Sequence, residues 1–439
     1  MNKYYMWMVA LVAALVLGWT IYRDVQIEKI YPSDLRNRVV GARLQKDGKM
    51  PYFYKWKPAD GLRYYDPTNF DTLKVSNITT TPYFNQLLYP IADMEQRTIS
   101  RFWVYLQYIF LFIMVGMALR FADTFLRKMM VFSVAVSFLF THAWMKVIET
   151  GQMYLFIPLF AFAFYFFLSK PKNTAAALTA GLFAVSLVLI RPNTVFMFLP
   201  ILFLAGKYHL RYKLTFLIPV IMVLGYIIGS GQQRALWADY AEGLSEQLKL
   251  HQDLEPTGQY NGADPGFLSW EGWNRNEIAA AQANTTYFNY SENGNFFVLV
   301  ERIFGKKLSP VFLNVASLLL IGIIAGLFYF YNRKSGFELY NIALLGFSLY
   351  MVSDLFSPFY RHQYNTVQWL FPLLLAAAGY IKRYQWIYGA LAAGIILNII
   401  NTPYIKMEHT IGEYVILAAF LSLAFVYNPN GKLKERLNV

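Results

Sequence analysis

Residues 31–54 read YPSDLRNRVVGARLQKDGKMPYFY, and the fold turns on this stretch. Ser33 and Asp34 are residue types that open a helix, because a short side-chain oxygen can accept from the unpaired amides of the first turn. Gly48 supplies the left-handed turn that closes one. Between them Leu35, Val39, Ala42 and Arg43 fall on one helical face, with Arg36, Arg38 and Lys46 as further charges. Such a helix is expected to lie flat on a membrane surface, its basic side chains reaching the headgroups. Asp34 then stands at the positive end of the helix, where a carboxylate is favoured, and is the candidate to take a proton from a hydroxyl. Its plainer role is a helix cap. Asp24 and Glu28 are rival carboxylates closer to the first apolar run, but neither begins a helix.

A membrane protein is required by what flanks this stretch. The chain has 439 residues, 56% hydrophobic and 18% aromatic, and its 15% of charged residues falls short of the roughly one quarter usual in soluble domains. Mean hydropathy is +0.34. Apolar runs of about 17–22 residues mark transmembrane helices. They recur near 6–22, 102–119, 129–143, 152–168, 174–190, 193–206, 213–229, 309–330, 337–353, 364–380, 384–400 and 411–427. The expectation is an all-α polytopic membrane protein, a bundle of about twelve transmembrane helices forming one integral-membrane domain over residues 1–439. The run Met6–Trp19 lacks a small-residue cleavage site and reads as a retained first span.

The net charge of +13 comes in small clusters between apolar runs, which fits topology and anionic lipid rather than a nucleic-acid stripe. Lys3, Arg127/Lys128, Lys170/Lys172, Lys207/Arg211/Lys213, Arg333/Lys334, Lys382/Arg383 and Lys432/Lys434/Arg436 fall on one side if the spans alternate. That side is cytoplasmic and holds both termini. The opposite side receives two long loops, 23–101 and 230–308, with the second helical at its start (Gln233–His251) and then irregular. The expected location is a bacterial inner (plasma) membrane. Asn77, Asn284 and Asn289 match glycosylation acceptors, at the chance level of an Asn-rich sequence. There is no cysteine, so no disulfide or thiol chemistry. Five histidines without a His-x-x-x-His pair argue against zinc, and no Asp-x-Asp, Gly-x-Gly-x-x-Gly or phosphate-loop motif is present.

The outer side collects polar residues. His142, Glu149 and Gln152 flank the third and fourth spans, Arg191-Pro192-Asn193 separates the fifth from the sixth, and Asp354 with Arg361 and His362 caps the ninth and tenth. A guanidinium at a span boundary is costly unless it meets water or an anion, so Arg191 is a candidate anion ligand. The alternative is a snorkelling anchor. Arg361 and His362 are either ligands or loop solvation, His142 a ligand or a hydrogen-bonded core histidine, and Gln152 a ligand or a cap. Trp237, Trp270 and Trp273 could stack on sugar rings or pack the second loop down.

Asp34-Leu35, Ala42-Arg43, Gly48 and Pro51-Tyr52 resemble, in order and spacing, the first-loop signature of glycosyltransferase family 87, polyprenyl-phosphate-mannose-dependent mannosyltransferase-like proteins of the GT-C superfamily. Pro90-Ile-Ala92, Gly151-Gln152, Arg191-Pro192 and Ser357-Pro358 are similar to later pieces of it, over residues 6–379. Thr81-Pro82-Tyr83 stands where the family has Tyr-Pro-Pro, and Gln363 where it has His, one place after His362. The resemblance implies a GT-C-like helical bundle and a hexosyltransferase. A polyprenyl-phosphate sugar would be its donor, a glycan or glycolipid its acceptor, and the bilayer its medium, with no nucleic acid and no cofactor or metal. Asp34 would then be the base, Arg191, Arg361 and His362 would hold the donor phosphate, and His142, Glu149, Gln152, Asn193, Trp270 and Trp273 would line the donor and acceptor pocket. One carboxylate base and a phosphate leaving group imply inversion at the anomeric carbon. A transporter or flippase, a polysaccharide ligase and a membrane scaffold are the rival readings.

Overall fold

An apolar run must satisfy its own backbone hydrogen bonds, and the helix does so locally. The computed structural model describes residues 3–27, 32–66, 74–251, 269–274, 294–334, 336–400 and 408–427, and there the chain is mainly helical, with irregular stretches such as 47–57 and 74–81. The strands among the described residues are a short antiparallel pair in the second long loop, Ser269 opposite Asn274 and Trp270 opposite Trp273. Glu28, Asn284, Asn289 and the basic cluster 432–436 lie outside the described residues.

Among the described residues four helices are long and apolar enough to cross a membrane: Gln96–Phe121, Leu210–Gly229, Pro310–Asn332 and Glu408–Val426. The pair Phe125–Phe138 and His142–Thr150, bent by 56°, makes a fifth if counted as one span. Phe156–Leu168, Thr174–Ile190, Pro192–Lys207 and Leu339–Leu355 are apolar but shorter. The expected twelve full-length spans are therefore met only in part. Leu210–Gly229 and Pro310–Asn332 show large apolar side chains outward along their length, Ile221, Met222 and Ile228 on one and Val311, Leu319 and Phe330 on the other. Water does not tolerate patches of that extent on a monomer, whereas lipid does. The chain is a helical protein with helices compatible with membrane insertion.

Chain contacts divide the molecule into two compact units, one of Met1–Phe112, Ala135–Phe156 and Ile227–Phe288, the other of Ile113–Val134, Ile157–Tyr226 and Asn289–Val439. At the centre of the first unit is the helix Ser33–Lys46. It stops as the sequence foretells: Gly48 has φ +70°, and the Lys49 amide donates to Leu44 O at 2.8 Å. Its start differs. Pro32 is the N-cap, and no side chain caps the first turn. Its setting differs as well, because every residue from Leu35 to Gln45 is buried. The helix does not present its arginines to headgroups. Buried guanidiniums need acceptors on every side, and backbone carbonyls from several segments supply them. Arg36 donates to Tyr65 O and Leu62 O, both at 2.7 Å, and Arg43 to Ala92 O (2.6 Å), Met94 O (2.9 Å) and Arg63 O (3.0 Å).

In the second unit Leu339–Leu355 is buried from Asn341 onward and packs on Pro192–Lys207 and Glu408–Val426. Arg191 ends Thr174–Ile190, and Pro192 begins the 3-10 helix Pro192–Lys207, so the expected break falls where the sequence places it.

Candidate functional site

Asp34 lies in the first turn of Ser33–Lys46, half-buried. Its Oδ2 accepts from Gln152 Nε2, and no partner among the described residues meets Oδ1. Gln152 is fully buried. Its Oε1 accepts from Arg38 Nη2 at 2.5 Å, its carbonyl from Trp103 Nε1 at 3.1 Å, and its own amide donates to Val147 O at 2.9 Å. Gly151, at φ +68°, ends His142–Thr150 in the left-handed conformation. A Cβ there would come within 2.5 Å of Leu35 Cβ, so glycine is what lets this turn abut the first turn of the Asp34 helix. Two features that stand apart in the sequence, Asp34-Leu35 and Gly151-Gln152, thus meet in space.

The rival Asp24 is fully buried and committed: Tyr108 Oη donates to it at 2.6 Å, Trp144 Nε1 at 2.7 Å and Arg23 Nε at 2.8 Å. Those donors occupy both of its oxygens and tie it to its surroundings. His142 is the first residue of His142–Thr150, half-buried, and Glu149 pairs with Lys146 one turn earlier at 3.1 Å.

Glu271 is a residue the sequence reading missed. It sits at the tip of the short antiparallel pair with φ +39°, a conformation rare outside glycine. Arg36 reaches Oε1 at 2.9 Å, and Arg43 reaches Oε1 and Oε2 at 2.7 and 3.0 Å. The Gln96 amide donates to Oε2 at 2.9 Å. Burial raises its pKa, but the two guanidiniums outweigh that and hold the carboxyl below the usual range. Trp273 is 1% exposed and packs on Tyr65, which leaves its faces no room for a sugar ring. For Trp270 only the backbone pairing with Trp273 is described.

The second unit holds a chain of buried charges. Arg191 and Asn193 both reach Asp354 Oδ1, Asn193 at 3.5 Å. Arg361 Nη1 reaches Asp354 Oδ2, while its Nε and Nη2 reach the two oxygens of Glu413 at 3.0 and 2.5 Å. Trp369 Nε1 also donates to Glu413, at 3.1 Å. Asn295 ties the loop together, accepting from the Arg361 amide and donating to Asp354 O and Ser357 O at 3.2 Å each. Two cations and two anions balance. The Arg361 side chain, 1% exposed, has both of its edges on carboxylates, whereas that of Arg191 is 21% exposed. His362 precedes the turn Gln363–Trp369 and stacks on Tyr364, ring centroids 5.0 Å apart. Glu413 is the other residue missed, and an acid inside an apolar run was the signal for it.

Among the described residues no three of His, Asp and Glu gather in a way that would hold a metal. No protein-family model matches the chain, and neither does any curated protein or solved structure.

Proposed function

We propose that the protein is a membrane glycosyltransferase moving a hexose from a polyprenyl-phosphate donor to a hydroxyl of a glycan or glycolipid on the extracytoplasmic side, with inversion. The observation that carries this reading is Asp34, a half-buried carboxylate with one oxygen fixed by Gln152 and the other without a partner among the described residues. It makes no cap bond, so the plainer role for it falls away. Transfer from a lipid phosphate asks for a base at the acceptor hydroxyl and positive charge at the leaving phosphate. Asp34 supplies the base. Within the second unit taken by itself, Arg191 is the arginine more open to an anion, being partly exposed where Arg361 is enclosed by carboxylates. In this reading the shorter apolar helices count as further spans of a GT-C-like bundle of about twelve, with both termini cytoplasmic by the distribution of Lys and Arg.

A transporter or flippase is the second reading, favoured by the network in which partly exposed Arg191 leads to buried Asp354, Arg361 and Glu413, since charges in apolar helices often mark a transport path. Incubating the purified protein with a panel of polyprenyl-phosphate hexoses and an oligosaccharide acceptor separates the two. Release of polyprenyl phosphate with glycan extension supports transfer. Movement of lipid-linked sugar across a vesicle without its cleavage supports transport and overturns it.

A further inference from the structure

We propose that Arg38 and Gln152 form a positioning relay that holds Asp34 as a directed base; the inference rests on the transferase reading for its kinetic consequence but not for its existence. Arg38 is 5% exposed and forms no ion pair with a carboxylate among the described residues. A guanidinium buried without counter-charge is costly. Asp34 is one helical turn away on the same helix, at the spacing where the two would ordinarily meet directly. They do not, because the Gly151–Gln152 turn inserts the Gln152 amide between them. Glycine at 151 permits that insertion by its close approach to Leu35 and Pro32.

The order of groups fixes the amide. Arg38 has only donors to offer, so Gln152 must turn its oxygen to Arg38 and its NH2 to Asp34. The charge of Arg38 polarises that amide toward the carboxylate. A direct pair would fix Asp34 equally well, but a two-pronged guanidinium contact would occupy both of its oxygens. An amide spacer orients Oδ2, leaves Oδ1 for a hydroxyl, and lets the buried cation find its counter-charge at one amide's remove. Gln152 and Arg38 are therefore positioning residues, acting through Asp34.

Two measurements on the full-length purified protein test this. In Gln152→Met, kcat with a polyprenyl-phosphate hexose should fall roughly 10–100-fold, as for a displaced catalytic group, while KM for the donor changes less than about twofold. Arg38→Met should show the same split, with Arg38→Lys recovering part of the loss. Separately, thermal unfolding of Arg38→Met, Asp34→Asn and their double variant should be non-additive with Gln152 present and additive in the Gln152→Met background. Should Gln152→Met not fold, Gln152→Asn retracts the amide by one methylene and carries the same expectation. Unchanged kcat in a folded Gln152 variant, or additivity with Gln152 present, overturns the relay. If the wild-type protein cleaves no donor the transferase reading fails, and the unfolding cycle alone then decides the relay.

Discussion

Gln152 donates to Asp34 across 118 residues of sequence, and that contact decides how Asp34 is to be read. A capping aspartate turns its oxygens back to its own helix. This one turns an oxygen outward to a side chain from another element, and the second has no partner among the described residues. Removing the ability to accept a proton, without removing size, isolates the difference. Asp34→Asn should lower turnover by roughly two to four orders of magnitude, the usual contribution of proton transfer. Thermal stability should fall far less than turnover: no cap bond is lost, and only the counter-charge that reaches Arg38 through Gln152 is removed. Asp24→Asn is the control for the opposite pattern: it strips a buried acceptor from Arg23 and should lower stability first. Turnover and melting temperature measured on the same preparations check both.

The clamp at Glu271 makes a stability prediction with a pH window. Glu271→Gln leaves Arg36 and Arg43 buried without their carboxylate, and breaking such a pair costs about 3–5 kcal/mol. The folded carboxyl titrates below its ordinary value of 4.5. Its stabilisation is therefore complete above about pH 4.5 and is lost as pH falls through the lower folded value. The melting-temperature gap between wild type and Glu271→Gln should be constant near neutral pH and should narrow in acid below that value.

Within the second unit, Glu413→Gln should cost stability of similar size, about 3–5 kcal/mol, because Arg361 loses the counter-charge and one of its two acceptors there. The paired change Arg361→Met with Glu413→Leu removes charge of both signs and should cost less than the two single changes summed. Denaturation midpoints of the three variants in one detergent give the comparison.

Orientation can be read chemically, since the chain has no cysteine to give background. Lys57 and Thr174 are both exposed, one in the first long loop and the other beside the Lys170/Lys172 cluster. An impermeant thiol reagent should label Lys57→Cys in intact cells and should leave Thr174→Cys unlabelled until the membrane is opened. Labelling of Thr174→Cys in sealed cells would reverse the topology.

The sequence by itself determined what depends on local chemistry. The apolar runs specified helices, Gly48 the end of Ser33–Lys46, Arg191-Pro192 the break before the 3-10 helix, and residues 233–251 the helical start of the second loop. These are decided by backbone torsion, by the loss of an amide at proline and by hydropathy, all of which act within a few residues. What lies around the Asp34 helix was decided only by the tertiary structure. Charged side chains every few residues read as a solvated face, and three arginines here are buried: carbonyls of Leu62, Tyr65, Ala92 and Met94 and the distant Glu271 converge on Arg36 and Arg43, and Gln152 with Gly151 O meets Arg38. The pairing of Asp34 with Gln152, and of Arg361 with Glu413, likewise joins residues that no spacing rule connects. A buried charge is stable only where distant donors and acceptors are brought to it, and that convergence is a property of the packed chain.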